Sequence, residues 1–154
     1  LKFTALHQIL KIVPSVPPLT HAAGVVNGSA VSLLGRPRVA LVVLEMGAVA
    51  AAHTVDVAIE HRLVEGSGAW VPTLDDASVA LAFAQRTNAD PVSLYGLLPL
   101  GEIDAQEMRA VSTVVGASGV AHSVSFLLSD WPEVPYASPH VNAFKTKIGV
   151  AARI

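Results

Sequence analysis

The stretch Thr54–His61 constrains this chain more than any other. Val55, Val57 and Ile59 alternate with Thr54, Asp56, Ala58 and Glu60. A period of two lines one face of a strand with aliphatic groups and leaves the other wet. Neighbouring runs read the same way. Arg38 to Met46 is apolar on both faces (Val39, Leu41, Val43 and Ala40, Val42, Leu44), as in a central strand buried between layers. Met108 to Val115 and Val120 to Leu128 are two β-rich runs joined by Gly116-Ala117-Ser118-Gly119, a linker that suits an antiparallel hairpin. Asn27-Gly28, between Val25-Val26 and Ala30-Val31, reads as a hairpin turn because both residues tolerate positive φ. Glu65-Gly66-Ser67-Gly68 makes a further turn and delivers Trp70-Val71 before Pro72 stops the pairing, with Trp70 as a core or rim plug.

Other segments carry weaker patterns. In Asp75 to Arg86, Asp75 suits a helix cap with Val79 and Phe83 on one face, whereas Val79, Leu81 and Phe83 also alternate with alanines; the alternation inclines the reading to a strand. Asn88 to Ile103, broken by Pro91, Gly96, Pro99 and Gly101, reads as a long connection. Residues 1–20 place Leu6, Ile9, Leu10 and Val13 at helical spacing and end in Pro14, Pro17 and Pro18, so a short helical turn and an extended arm both remain open. Pro132, Pro135 and Pro139 mark residues 130–154 as an extended tail. About seven short strands separated by Gly- and Pro-bearing turns predict an all-β fold. The expected architecture is an antiparallel β-sandwich or jelly-roll-like domain over 24–129, with an N-terminal arm at 1–23 and a C-terminal arm at 130–154.

Composition adds a demand. Charged residues are 14% and hydrophobic residues 52%, against roughly 25% charged in soluble domains. A chain so poor in charge must enter a membrane or hide apolar surface against partners. The longest aliphatic run, Val39 to Leu44, is far below the ~20 residues of a spanning helix, so no membrane crossing is expected. Lys11 and Pro14 interrupt any secretory apolar stretch, so no export signal is expected either. The charge that exists is segregated. Residues 1–44 hold Lys2, Lys11, Arg36 and Arg38 without a carboxylate, all twelve acids fall within 45–133, and Lys145, Lys147 and Arg153 close the chain. Basic ends around an acidic middle suit arms that lie across acidic surface, their own or a neighbour's.

Chemistry finds little to work with. The absence of cysteine excludes disulfides, thiolate metal sites and thiol nucleophiles. His53 and His61 share a strand face but stand about 26 Å apart, too far to chelate together. His122, on the face of Val120, Val124 and Phe126, reads as a buried or rim imidazole with one hydrogen bond. His7, His21 and His140 lie in the expected arms as solvated side chains. Asp56 and Glu60 share an outer strand face, and Asp75-Asp76 suits a turn better than a calcium loop. Ser67 and Ser118 lack the nucleophile-elbow pattern, and no phosphate- or dinucleotide-binding signature is present. Aromatic residues are 5%, without interleaved basic clusters, so nucleic acid is not an expected partner. The expectation is a protein that is not an enzyme, with no cofactor and no metal.

The order of elements resembles a group of small tailed-phage structural proteins encoded near the major capsid gene, the head decoration or cement proteins. Three stretches carry the resemblance: Val26 to Val31 leading through Gly35-Arg36-Pro37-Arg38 into Val39 to Gly47; Thr54 to Glu60 followed by a small-residue turn and Ala69-Trp70-Val71; and Asp104 to Val115 followed by Val120 to Leu128. Where such proteins often carry an aromatic-rich strand, this chain has Ala105-Gln106-Glu107-Met108-Arg109, of which Arg109 matches. The resemblance implies a capsid-surface subunit of a virion, made in the host cytoplasm, a homo-oligomer with the trimer favoured, binding major capsid protein without catalysis. Arg36, Arg38, Lys145, Lys147 and Arg153 are then the expected polar contacts, and Trp131, Tyr136 and Phe144 the expected apolar ones. A β-sandwich module for carbohydrate or cell surface, stacking sugars on Trp70, Trp131 or Tyr136, is the alternative.

Overall fold

The alternating stretch becomes the middle of the longest strand, β5 (Val49–Arg62), with Val55, Val57 and Ile59 fully buried. In the computed structural model, residues 10–35, 37–75, 77–100 and 104–129 are described, and no helix occurs among them. The other strands are β1 (Leu10–His21), β2 (Gly24–Asn27), β3 (Val31–Ser32), β4 (Val39–Met46), β6 (Val71–Pro72), β7 (Arg86–Ala89), β8 (Val92–Pro99), β9 (Glu107–Val115) and β10 (Val120–Ser129). Sheet A runs β1-β10-β4-β8 and sheet B runs β2-β9-β5-β6, with β3 also on β9 and β7 also on β5. All pairings are antiparallel.

The pairing follows one rule. β1 lies on β10, β2 and β3 on β9, β4 on β8, and β5 on β6 and β7. The first half of the chain is therefore laid against the second in reverse order, a long ribbon rolled up until β10 meets β4 and β9 meets β5. That is a double-sheet jelly roll, the sandwich expected from the strand pattern. Phe126, Leu44, Leu98 and Val16 of sheet A pack with Ile59, Met108 and Val31 of sheet B and with Phe83 and Leu81 from the segment beside β5.

Several local readings change. β9 and β10 are not a hairpin: they belong to different sheets, and residues 116–119 turn the corner between them, with Gly116 at φ 139°. Alternation alone cannot separate these cases, because two strands with one apolar face each can lie side by side or face each other across a core. Asn27-Gly28 is not a hairpin turn either. β2 and β3 follow β9 in a single direction, Asn27 opposite Val111 and Val31 opposite Met108, so residues 28–30 form a bulge in one edge strand. The expected connection over 88–103 contains β8, an edge strand that tolerates the flanking Pro91 and Pro99. β4 is central as expected, yet only Ala40, Val42, Leu44 and Met46 point into the core, while Leu41 and Val43 are half-buried on the far side. Within 75–86 no helix forms: Asp75 Oδ1 accepts the amides of Ala77 and Val79, Val79 is exposed, and Leu81 and Phe83 are buried beside β5.

The N-terminal arm expected over 1–23 is corrected for residues 10–21, which form β1 at the edge of sheet A. Its ladder shifts register between Pro14 and Val16 and again between Val16 and Leu19. The first shift turns Ser15 inward, where its hydroxyl donates to Ser29 O (2.9 Å) and accepts from the Ala110 amide (3.0 Å). Ser29 N also donates to Ser15 O at 2.7 Å. This stitch closes one side of the sandwich and explains Gly28, where a Cβ would lie 2.3 Å from Ser15 Oγ and 2.6 Å from Ala110 O. Residues 1–9 and 130–154 lie outside the described residues.

Ser15→Ala should therefore cost about 1–3 kcal/mol by leaving the Ala110 amide buried and unpaired. Gly28→Ala should cost about 2 kcal/mol or more, because backbone has to move. Urea denaturation of the two variants checks both values.

Candidate interaction surfaces

The pleat gives each sheet an outward face, and the two faces differ in chemistry. On sheet A, the outward residues align in rows across the strands: Ile12, Leu127, Leu41 and Leu97 in one, and Pro14, Ser125, Val43 and Tyr95 in the next. Ile12 is 63% and Tyr95 38% exposed, and Leu41, Val43, Leu97 and Leu127 are half-buried. Ser123, Glu45 and Ser93 form the following row, where the Ser93 hydroxyl donates to Glu45. Among the described outward residues of β4, β8 and β10, Glu45 is the only charged one.

Sheet B presents the opposite. Across β5 and β9, Arg62 faces Glu107 and Glu60 faces Arg109. Arg109 donates from Nε and Nη2 to Glu60 Oε2 at 2.9 and 2.7 Å, and Arg62 Nε donates to Glu107 Oε2. The expected turn at 65–68 is present, with Gly66 and Gly68 at φ 71° and 88°. It is pinned to β9 because Glu65 N donates to Gln106 Oε1 and Gly66 N to Glu107 Oε2, at 2.9 and 3.1 Å. The pinned loop brings Trp70 across the ladder, with Arg62 and Arg109 guanidinium carbons 4.7 and 4.5 Å from its ring centre. Of the two expected places, core or rim, Trp70 takes the rim: it is half-buried as a lid on charged side chains, a role that cation–π attraction favours.

Three histidines sit where the strands cross between sheets. His122, on β10, is buried: Nδ1 donates to Val120 O (3.0 Å), and Nε2 meets Ser112 Oγ of the opposite sheet at 2.8 Å. It makes two hydrogen bonds where one was expected. His21 lies with its ring centre 4.5 Å from that of His122 and its Nε2 donating to Pro17 O at 2.9 Å. His53 Nε2 accepts from Ser118 N at 3.0 Å, leaving Nδ1 buried without a partner, and its ring excludes any Cβ at Gly116. At the other end, an open hollow of about 530 Å³ is lined by His61, Thr73 and Asp104 with Leu63, Val71 and Leu74. His61 Nδ1 and Thr73 Oγ1 are 3.1 Å apart there.

Burial lowers the pKa of His122 and of His61 from the ordinary 6.5; at His122 the Val120 carbonyl opposes this and His21 adds to it. The Arg62 hydrogen bond holds the Glu107 carboxyl below its ordinary 4.5, with burial pushing the other way.

Of the expected contact residues, Arg38 is exposed, and its backbone joins strand ends: its N donates to Ser129 O at 2.9 Å and its O accepts from Leu100 N at 2.8 Å. It stands where the chain leaves β10. Arg36, Trp131, Tyr136, Phe144, Lys145, Lys147 and Arg153 lie outside the described residues. The apolar rows on sheet A were missed by sequence reasoning, although the unbroken run Val39 to Leu44 was their signal. No protein-family model matches the chain, and no curated protein matches it.

Both depressed histidines bind protons less readily folded than unfolded. Their contribution to stability is therefore complete above about pH 6.5 and declines as pH falls below it. The urea midpoint should drop between about pH 7 and pH 5, and His122→Gln should flatten that slope. Glu107 contributes above its ordinary pKa, and that share is lost at more acid pH, as its depressed value is crossed. Trp70→Ala should cost about 1–3 kcal/mol, and a double-mutant cycle with Arg109→Ala should show a coupling of about 0.5–2 kcal/mol.

Proposed function

We propose that this chain is a structural assembly subunit, and specifically a decoration or cement protein of a phage head that binds major capsid protein and neighbouring copies of itself. The observation that carries the reading is the outward face of sheet A, with aliphatic groups in register across four strands and a single described carboxylate at its border. Antiparallel sheets normally leave one face to water through polar side chains. Sheet B does so with its ion pairs, whereas the outward face of sheet A sets a row of Ile12, Leu127, Leu41 and Leu97 beside its serines and Glu45. Contiguous exposed apolar surface of this kind marks association sites. The jelly roll is used in viral capsids and in lectins, so the fold is compatible with the role without selecting it. The phage assignment rests on the resemblance of three stretches of the sequence. In this reading, the sheet A face packs against neighbouring copies.

Leu41→Lys tests the reading at the centre of the apolar row. Light scattering across a concentration series should show the native chain associating, with the variant shifted at least tenfold toward monomer. Its unfolding free energy from urea denaturation should stay within about 0.5 kcal/mol of native, since the side chain is outside the core. Undiminished association of a folded Leu41→Lys chain removes the sheet A face from the interface, and a native chain that stays monomeric and leaves capsid shells bare removes the function.

One observation favours a second reading, carbohydrate or cell-surface binding. Trp70 lies half-buried on the outward face of sheet B, beside Glu60 and Arg109 and along the strands from Asp56, to which Gln85 Nε2 donates at 2.8 Å. Aromatic rings among hydrogen-bonding groups suit sugar stacking. Glycan-array binding that is abolished by Trp70→Ala would establish it.

A further inference from the structure

We propose that β8 pairs antiparallel with β8 of a second copy about a two-fold axis at Tyr95, joining the two A sheets edge to edge. This joint rests on the assembly reading and is distinct from the face of the sheet, because it is made by main-chain groups.

Two hydrogen bonds settle which backbone groups of β8 are in use. Leu100 N donates to Arg38 O at 2.8 Å, and the register runs unshifted from Val39 opposite Pro99 to Met46 opposite Val92. Bonded pairs alternate along an antiparallel ladder, so the even-numbered residues of β4 bond to β8. Gly47 N donates to Ala121 O at 2.8 Å on the β10 side, which puts the odd-numbered residues on that neighbour, as the alternation requires. In β8, Val92, Leu94, Gly96 and Leu98 therefore bond to β4. The N–H and C=O groups of Ser93, Tyr95 and Leu97 point the other way, where β8 has no neighbouring strand among the described residues. Pro91 and Pro99 share the odd parity, so the side with missing N–H groups is this same outer edge, at its two ends.

The other described sheet edges are blunted. β1 carries Lys11, Pro14, Pro17 and Pro18 and shifts register twice, β2 and β3 are interrupted by the bulge at 28–30, and β6 and β7 run for two and four residues. Charges, prolines, bulges and short strands all keep edges from pairing. β8 has eight residues in unbroken register, no charge, and no proline before its last position. Such an edge is a template for another strand.

Complementarity selects the occupant. With Tyr95 opposite Tyr95 of the second copy, Ser93 falls opposite Leu97, and each outward amide meets an outward carbonyl of opposite partial charge. Pro91 falls opposite Pro99, where neither copy has a donor to satisfy. The same patch serves on both copies, so the contact closes as a two-fold pair. β1 of a neighbour offers no equally regular partner, since its register breaks twice.

The chain has no cysteine, so introduced thiols report single contacts. Side chains at 93, 95 and 97 lie on the outward face of sheet A, away from the core. Under mild oxidation Tyr95→Cys should form a disulfide dimer. An equal mixture of Ser93→Cys and Leu97→Cys should give mixed dimer about tenfold in excess of what either variant gives alone. Absence of these links overturns the pairing, and equal linking in every combination overturns its register. Tyr95→Lys and Tyr95→Glu, each placing like charges opposite one another, should weaken dimerisation about tenfold, and mixing the two should restore it. Unchanged dimerisation of both folded variants also overturns the two-fold pair. If Leu41→Lys lowers association while no β8 link forms, the joint at β8 fails and the assembly reading stands. If the β8 links form and Leu41→Lys changes nothing, the joint stands and the sheet A face leaves the interface. A native chain that stays monomeric overturns both.

Discussion

Burial of aliphatic and aromatic groups between two sheets is the interaction on which everything else in this molecule depends. Phe126, Leu44 and Leu98 from one side and Ile59, Met108 and Val31 from the other fill a single core. Once these side chains point inward, the pleat sends every second residue outward, and the chemistry of the two outer surfaces is decided. β5 and β9 then display an ion-pair ladder, whereas β4, β8 and β10 display leucine, valine and serine. The same alternation that makes the fold thus makes one surface charged and the other largely apolar.

Polar groups inside the sandwich act as positional pins. Ser15 fastens β1 to the opposite sheet at one edge, and the pair His122–Ser112 fastens the sheets to each other through the core. Buried polar groups are costly unless paired, so each pin specifies which strand faces which. Gly28 and Gly116 are required beside them because the backbone passes too close to Ser15 and to His53 for any side chain. These features concern register and corner geometry, and two of the imidazoles meet serine hydroxyls, His122 Nε2 at Ser112 Oγ and His53 Nε2 at Ser118 Oγ, each at 2.8 Å.

Legibility in the sequence followed the physical range of each signal. The alternation in Thr54–His61 and the central place of Val39–Met46 are properties of single strands and could be read directly. Whether Met108–Val115 and Val120–Ser129 share a sheet or face each other depends on distant partners, Ala40 to Met46 for one and Val55 to Arg62 for the other, and no local pattern encodes that choice. β8 was hidden because Pro91, Gly96 and Pro99 are breaking signals for an interior strand and harmless at an edge. β1 was hidden because its prolines suggest an arm, although a register shift absorbs them. The apolar outer face was visible only as residues facing both ways in β4, which reads equally well as double burial. Trp70 drew notice as an aromatic residue, but its place over Arg62 and Arg109 depends on a loop pinned by Gln106 and Glu107.

The pairing of Leu10 with Ser129 has a consequence for how the protein comes into being. The earliest described strand finds its partner only in the latest, so the outermost ladder of sheet A cannot close until Ser129 has left the ribosome. Contacts this distant along the chain slow folding, and they leave the aliphatic side of β10 and β4 without its neighbour in the interval. Biosynthesis therefore passes through a stage in which the greasiest part of the molecule is bare.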